Sequence, residues 1–202
     1  LNNAAIWVSS RFISLAKEWF NLPVFAYPEE PHTDVNALLV IGGGRIIDFA
    51  KIWRSKNNSE IMLIAIPSIW GSGAENSPIA VLNEGSKKVI RKGEEFLPDI
   101  RVIWPELSEN IPHDLVRNAC GDVWAHAIEG FLSPLASDNL KSELSKIIQQ
   151  LLTMPIENDI KWFDLSAKAC YGQSKSSVGL VHGIAHKIEG PLNQKFPDKC
   201  FG

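Results

Sequence analysis

Ala37-Leu38-Leu39-Val40-Ile41-Gly42-Gly43-Gly44-Arg45-Ile46-Ile47-Asp48-Phe49-Ala50-Lys51 joins an unbroken apolar run to three glycines and an amphipathic stretch that reaches about Arg54. An apolar run with no polar alternation reads as a strand covered on both faces, the habit of parallel sheets. Glycines at its end let the backbone approach a ligand closely, and the exposed N–H groups and positive end of the next helix favour a phosphate there. The triplet also fits a tight strand-to-helix turn that binds nothing, and it is not the GxGxxG fingerprint of a standard dinucleotide fold.

The same alternation extends outward. Ala4 to Val8 reads as a buried strand, with Ser9 or Ser10 capping a helix that runs to Phe20. Val24 to Tyr27, Ile61 to Ile66 and Val102 to Trp104 are further strand-like runs. Strands alternating with helices predict a parallel sheet covered on both faces over residues 1–108. After Pro105 to Pro112 (PELSENIP) the periodicity becomes helical. Helices are expected over His113 to Cys120, Asp122 to Phe131, Asn139 to Thr153, Ile160 to Gln173 and Gly179 to Glu189. The expected organisation is an α/β domain, residues 1–108, followed by an all-α domain, residues 109–202.

A hydrophobic share of 45% and a charged share of 21% match an ordinary globular chain, and a net charge of −3 gives no reason to expect nucleic acid or an anionic membrane as partner. No apolar run approaches the ~20 residues of a membrane span. The opening LNNAAIWVSS lacks the basic-then-apolar order of a secretory signal. Cys120, Cys170 and Cys200 show no CxxC spacing, which suits buried thiols in a reducing cytoplasm. The beginning at Leu1 and the end at Gly202 read as those of a fragment or of an unusually compact chain.

Two constellations carry chemistry. Ile66 to Glu75 (IPSIWGSGAE) leaves a strand in a Gly/Ser-rich turn, and two such loops at the ends of neighbouring parallel strands lie where open sheets bind ligands. Asp122 and His126 are four apart, as are His182 and His186, so each pair projects from one helix face. One carboxylate with imidazoles suits Fe²⁺ or Zn²⁺, while two unrelated capping or hydrogen-bonded pairs are the alternative on spacing alone. His32 and His113, beside prolines and acidic residues, read as surface groups. The tryptophans read as packing residues except Trp70, which lies inside the second loop.

Taken in order, these segments resemble the iron-containing (group III) alcohol dehydrogenases of the dehydroquinate-synthase-like superfamily. Gly42 to Lys51 resembles GGGSxxDxAK, Ile66 to Val81 resembles IPTTAGTGSExTPFAV, and Pro98-Asp99 with Trp104 to Leu107 resembles PD…DPEL. Gly121 to Ser133 resembles GxDALxHAIExxxS, and Gly179 to Gly190 resembles GxxHxxAHxLGG. The resemblance implies a Rossmann-like domain, a helical domain and a cleft between them for cofactor and metal. It implies Asp122, His126 and His182 as ligands of a divalent ion, with His186 near the substrate as a proton relay. Gly42, Gly43 and Gly44 would hold the pyrophosphate, Ser68 and Ser72 would face the cofactor, and Asp48 would support the glycine loop.

The expected activity is reversible hydride transfer between a small alcohol, polyol or sugar-derived alcohol and NAD(P); homodimers are common in the family, and no residue of this sequence sets the oligomeric state. Several positions depart from the pattern. The family's fourth ligand is a histidine after the HxxAH helix, and none follows His186 in this sequence. Ile69 and Trp70 replace smaller residues of the cofactor loop, and the family's N-terminal strand and hairpin are absent. Ser10 stands where many NAD-preferring members carry an aspartate, with Arg11 beside it, which leans the expectation toward NADP(H). A glycerol-dehydrogenase-like or dehydroquinate-synthase-like enzyme, and a degenerate relative that binds nucleotide or a partner without turnover, are the rival readings.

Overall fold

The computed structural model describes residues 3–32, 34–84, 87–177 and 179–195. The chain runs through β1 (Ala4–Val8), α1 (Ile13–Trp19), β2 (Val24–Ala26), β3 (Ala37–Gly42), α2 (Gly44–Asn57) and β4 (Met62–Pro67). It continues through β5 (Ile79–Glu84), β6 (Lys87–Lys92), β7 (Ile100–Arg101) and four helices: α3 (His113–Leu132), α4 (Asp138–Leu151), α5 (Lys161–Ser174) and α6 (Leu180–Lys195).

Five strands form a parallel sheet in the order β2-β1-β3-β4-β7. Strand period two sorts the apolar runs into two cores. On one face Ala5, Trp7, Leu38, Val40, Leu63 and Ala65 pack with Ile46, Ile47, Ala50 and Trp53 of α2. On the other, Ile6, Val8, Leu39, Ile41, Ile64 and Ile66 pack with Phe12, Ala16 and Leu107. Burying each such large aliphatic side chain stabilises the fold by roughly 1.5–3 kcal/mol, which is why runs this short suffice. After β2 the chain crosses to the opposite side of β1, so the strand order reverses between β1 and β3 and opens a crevice at their carboxyl ends.

The helical layer has its own core, with Val116, Ala119, Cys120 and Val123 of α3 against Leu140, Leu144 and Ile147 of α4 and Trp162, Phe163 and Leu165 of α5. The α/β part followed by a helical part is as expected from the sequence. Four details differ. Gly121 does not break α3, which is one helix from His113 to Leu132, because Cys120 and Val123 on either side are buried. The last sheet strand is Ile100–Arg101 rather than Val102 to Trp104, since Ile103 packs on the helical core and Trp104 on the sheet core. Neither Ser9 nor Ser10 caps a helix through its side chain: a 3₁₀ turn over Ser10–Phe12 intervenes before α1.

The fourth difference is the antiparallel pair β5–β6, unforeseen in the sequence. It is tied to α2 by Lys51 Nζ, which donates to Ile79 O at 2.7 Å, and by the Val81 N–H, which donates to Asp48 at 3.0 Å. It is tied to the helical layer by Lys92 Nζ, which donates to Ser174 O at 2.6 Å, and by a Lys88–Glu189 ion pair. Cys120 and Cys170 are free and buried, while Cys200 lies outside the described residues. Among the described residues no helix is long and apolar enough to cross a membrane.

Candidate metal and cofactor site

The glycine turn sits at the crevice between β1 and β3. Register sets Val8 beside Ile41, and the Ser9 N–H donates to Ile41 O at 3.0 Å. A Cβ on Gly42 would run into Ser9 Oγ and come within 2.6 Å of Ile46 Cγ2, so only glycine lets β1 and α2 close this tightly. Gly43 precedes α2 in extended conformation, leaving the helix's first N–H groups at the mouth of the crevice.

The second loop lies alongside. The Ser68 N–H donates to Gly42 O at 2.9 Å, and a Cβ on Gly44 would meet the Ser72 side chain, with Ser72 Cβ at 2.9 Å. Gly71 then turns with φ +114°, and its side-chain position looks onto Ala119 and, at 3.4 Å, Asp122 Oδ2. The chain thus passes from glycine turn to candidate metal ligands within one loop.

Asp122, His126 and His182 each offer a ligand atom, and these atoms lie within 4.8 Å of one another. Asp122 Oδ1 stands 3.6 Å from His126 Nδ1 and 3.4 Å from His182 Nε2. Ligands about 2.1 Å from a tetrahedral ion are about 3.4 Å apart, so this spacing fits a cation with small adjustments. His126 Nδ1 is buried with no hydrogen-bond partner, the state of a donor atom awaiting an ion.

Burial, only partly offset by Asp122, lowers the His126 pKa and keeps its imidazole neutral. Burial works against ionising Asp122, but the hydrogen bond from His182 and the charges of both imidazoles hold its carboxyl below the ordinary range. His182 is raised: burial opposes this, and the bonds to Asp122 and Glu129 prevail. His186 stands with its ring 6.1 Å from that of His182, and burial, then the charges of Lys88 and His182, lower it.

A family model described as iron-containing alcohol dehydrogenase matches residues 30–105. The chain is 30% identical to 1-propanol dehydrogenase PduQ of Salmonella typhimurium over 167 residues, covering 75% of this chain and 45% of that protein. This chain belongs to the iron-containing alcohol dehydrogenase family. The NAD-dependent methanol dehydrogenase of Bacillus methanolicus is 28% identical over 164 residues, covering 76% of this chain and 43% of the relative. The iron-containing alcohol dehydrogenase of Thermococcus thioreducens superposes with a TM-score of 0.77 at 22% identity, over 94% of this chain and 66% of that one. The chain spans about half the length of the curated relatives it matches.

Within this member of the iron-containing alcohol dehydrogenases, the residues expected from the sequence divide. Asp122, His126 and His182 come together, with His186 adjacent, and Gly42, Gly43, Gly44, Ser68 and Ser72 line the two adjoining loops. Asp48 does not serve the glycine loop: its carboxylate is committed to Lys51 at 2.9 Å and to the Val81 N–H. Ser10 is exposed on the 3₁₀ turn, and Ser9 is the hydroxyl pressed against Gly42. Arg11 lies over the Phe12 ring and reaches Leu107 O at 3.5 Å. Trp70, expected beside the cofactor, is buried in the helical core, stacked with Trp162. His32 and His113 are exposed as expected.

Glu129 was missed. Its buried carboxylate stands 2.5 Å from His182 Nδ1 and also accepts backbone N–H groups at the start of α6. The signal available in the sequence was its place three residues after His126, on the same face of α3.

Proposed function

We propose that this chain carries the nicotinamide-dinucleotide and metal sites of a metal-dependent alcohol dehydrogenase acting on a small alcohol and its aldehyde. The observation that carries the reading is the convergence of Asp122, His126 and His182 at the end of the loop that adjoins the glycine turn. The family model, and the names of the relatives that act on 1-propanol and methanol, support the substrate class. The NAD-dependent relative supports NAD(H). The lean toward NADP(H) keeps only the missing carboxylate in its favour, because Arg11 is already engaged by Phe12 and Leu107. Free buried thiols at Cys120 and Cys170 support a reducing, cytoplasmic setting.

A bound Fe²⁺ or Zn²⁺ would supply Lewis acidity toward the alcohol or aldehyde oxygen, and the nicotinamide would accept or donate hydride. The chain's own part is positional. Asp122 and the two imidazoles, neutral once they hold an ion, would bring one negative charge to it and leave net positive charge where oxygen binds. The glycine turn and the first N–H groups of α2 would orient the pyrophosphate, with Ser72 at its flank. His186, half-buried and neutral, would take up the released proton and pass it to solvent.

Isothermal titration of the metal-stripped chain with Zn²⁺ tests the reading directly. One ion per chain is expected, with the affinity lost in Asp122→Ala and in His182→Ala. Binding that survives both substitutions rejects the site. Tighter quenching by NADH than by NADPH is expected in the same preparation.

A further inference from the structure

Glu129 sits on α3, yet every hydrogen bond to its carboxylate comes from α5 or from the start of α6. Oε1 accepts the Val181 N–H at 2.5 Å and the His182 N–H at 3.3 Å. Oε2 accepts the Gly179 N–H at 3.2 Å and Gln173 Nε2 at 2.9 Å, and faces His182 Nδ1 at 2.5 Å. The first N–H groups of a helix have no partner within it, so this carboxylate does for α6 what a capping side chain does locally. Gly179 makes the approach possible, because a Cβ there would lie 2.6 Å from both Glu129 Cδ and Oε1.

The contact with His182 has a chemical consequence. An ionised carboxylate only accepts, so the ring nitrogen it touches must carry the proton. Gln173 Nε2 also lies 3.2 Å from His182 Nδ1, but the shorter charged contact to Glu129 governs that nitrogen. Asp122 faces Nε2 across a longer 3.4 Å, so the single proton of a neutral imidazole belongs on Nδ1, and Nε2 is the nitrogen left for an ion. A histidine ligand oriented through its other nitrogen by a carboxylate is a recurring device in metal sites.

We propose that Glu129 is a positioning residue whose single carboxylate both secures the start of α6 and fixes His182 in the Nδ1–H tautomer, presenting Nε2 to a metal ion. The inference rests on the metal reading above and extends it to a residue that would not touch the ion.

Glu129→Gln separates the two tasks. The amide oxygen can still accept the Val181 and His182 N–H groups, while the amide NH₂ now faces His182 Nδ1 and draws the proton to Nε2. Nitrogen-15 NMR of histidine-labelled, metal-free protein at alkaline pH reads the tautomer, with the His182 signal assigned by its loss in His182→Gln. Zn²⁺ affinity is read by competition with a chromophoric chelator.

The expected result is Nδ1–H in the wild type, Nε2–H in Glu129→Gln, and an affinity roughly 10–100-fold weaker with helix content retained. Unchanged tautomer and unchanged affinity in Glu129→Gln overturn the proposal. Should that variant not fold, the wild-type spectrum decides, since Nε2–H at His182 also overturns it. Zn²⁺ binding lost in Asp122→Ala but kept in Glu129→Gln refutes this inference alone. Binding indifferent to Asp122 refutes the metal reading, and the role of Glu129 as an orienter of a ligand goes with it.

Discussion

At the scale of single residues, Glu75 makes a prediction independent of any ligand. It is buried at the end of the second loop with Oε1 unpartnered. Burial pushes its carboxyl up to about 7 from 4.5, against the opposing pull of its backbone hydrogen bond and of Arg101 and Lys51. Between those two pH values the folded chain keeps a proton that the unfolded chain has released. Stability therefore falls as pH rises from about 4.5 through about 7 and levels off above, with a full loss of roughly 3 kcal/mol. Glu75→Gln removes that slope, so urea denaturation should show wild type losing more stability than the variant between pH 5 and pH 8. Equal losses would mean that Glu75 is ionised inside the fold at neutral pH. The Asp122–His126 pair was legible because helix geometry puts residues four apart on one face. Glu129 was not, because its partners begin 44 residues further on, at Gln173. That Ser9 meets Gly42 was not legible for a related reason: the β1–β3 register, which decides it, is a property of two strands.

At the scale of elements, the strands read from the sequence are those buried on both faces. The β5–β6 pair escaped because it is a partly exposed hairpin whose second strand, Lys87–Lys92, is rich in charge. Its anchor to α2 is nevertheless buried: Lys51 is fully enclosed and bonds both Asp48 and Ile79 O. Removing one member of such a pair strands the other, so Lys51→Met should cost about 3–5 kcal/mol by chemical denaturation. Replacing both charges, as in Asp48→Asn with Lys51→Met, should recover much of that loss, because no uncompensated charge remains. If the two substitutions simply add, the ion pair is not what holds the hairpin. Gly121 misled in the opposite sense. A glycine inside a helix costs roughly 1 kcal/mol relative to alanine, which tertiary burial of its neighbours in α3 outweighs.

At the scale of the molecule, the Gly/Ser-rich loop after β4 is also the seam between sheet and helices. Trp70 leaves the end of β4 and enters the helical core against Trp162 and Phe163. The Gly71 N–H donates to Ser166 Oγ at 2.9 Å, and Gly73, at φ +57°, brings the chain against Cys170. Asn76 Nδ2 reaches Ala167 O at 3.3 Å. The loop that carries Ser68 and Ser72 is thus held to α5 on one side and to the glycine turn on the other. Trp70→Ala should cost about 3–5 kcal/mol, the usual loss for truncating a buried aromatic. Because the indole belongs to a loop leaving β4 yet is buried in the helical core, the loss should fall unevenly. Hydrogen exchange in the wild type should show the amides of β3, β4, α3 and α5 sharing one opening free energy, whereas in the variant the helical amides exchange first. NADH affinity should weaken in step, since Ser72 loses the brace that keeps it beside Gly44. A Trp70→Ala protein with sheet and helical amides still exchanging together would show that the seam is made elsewhere, and that the indole only fills space.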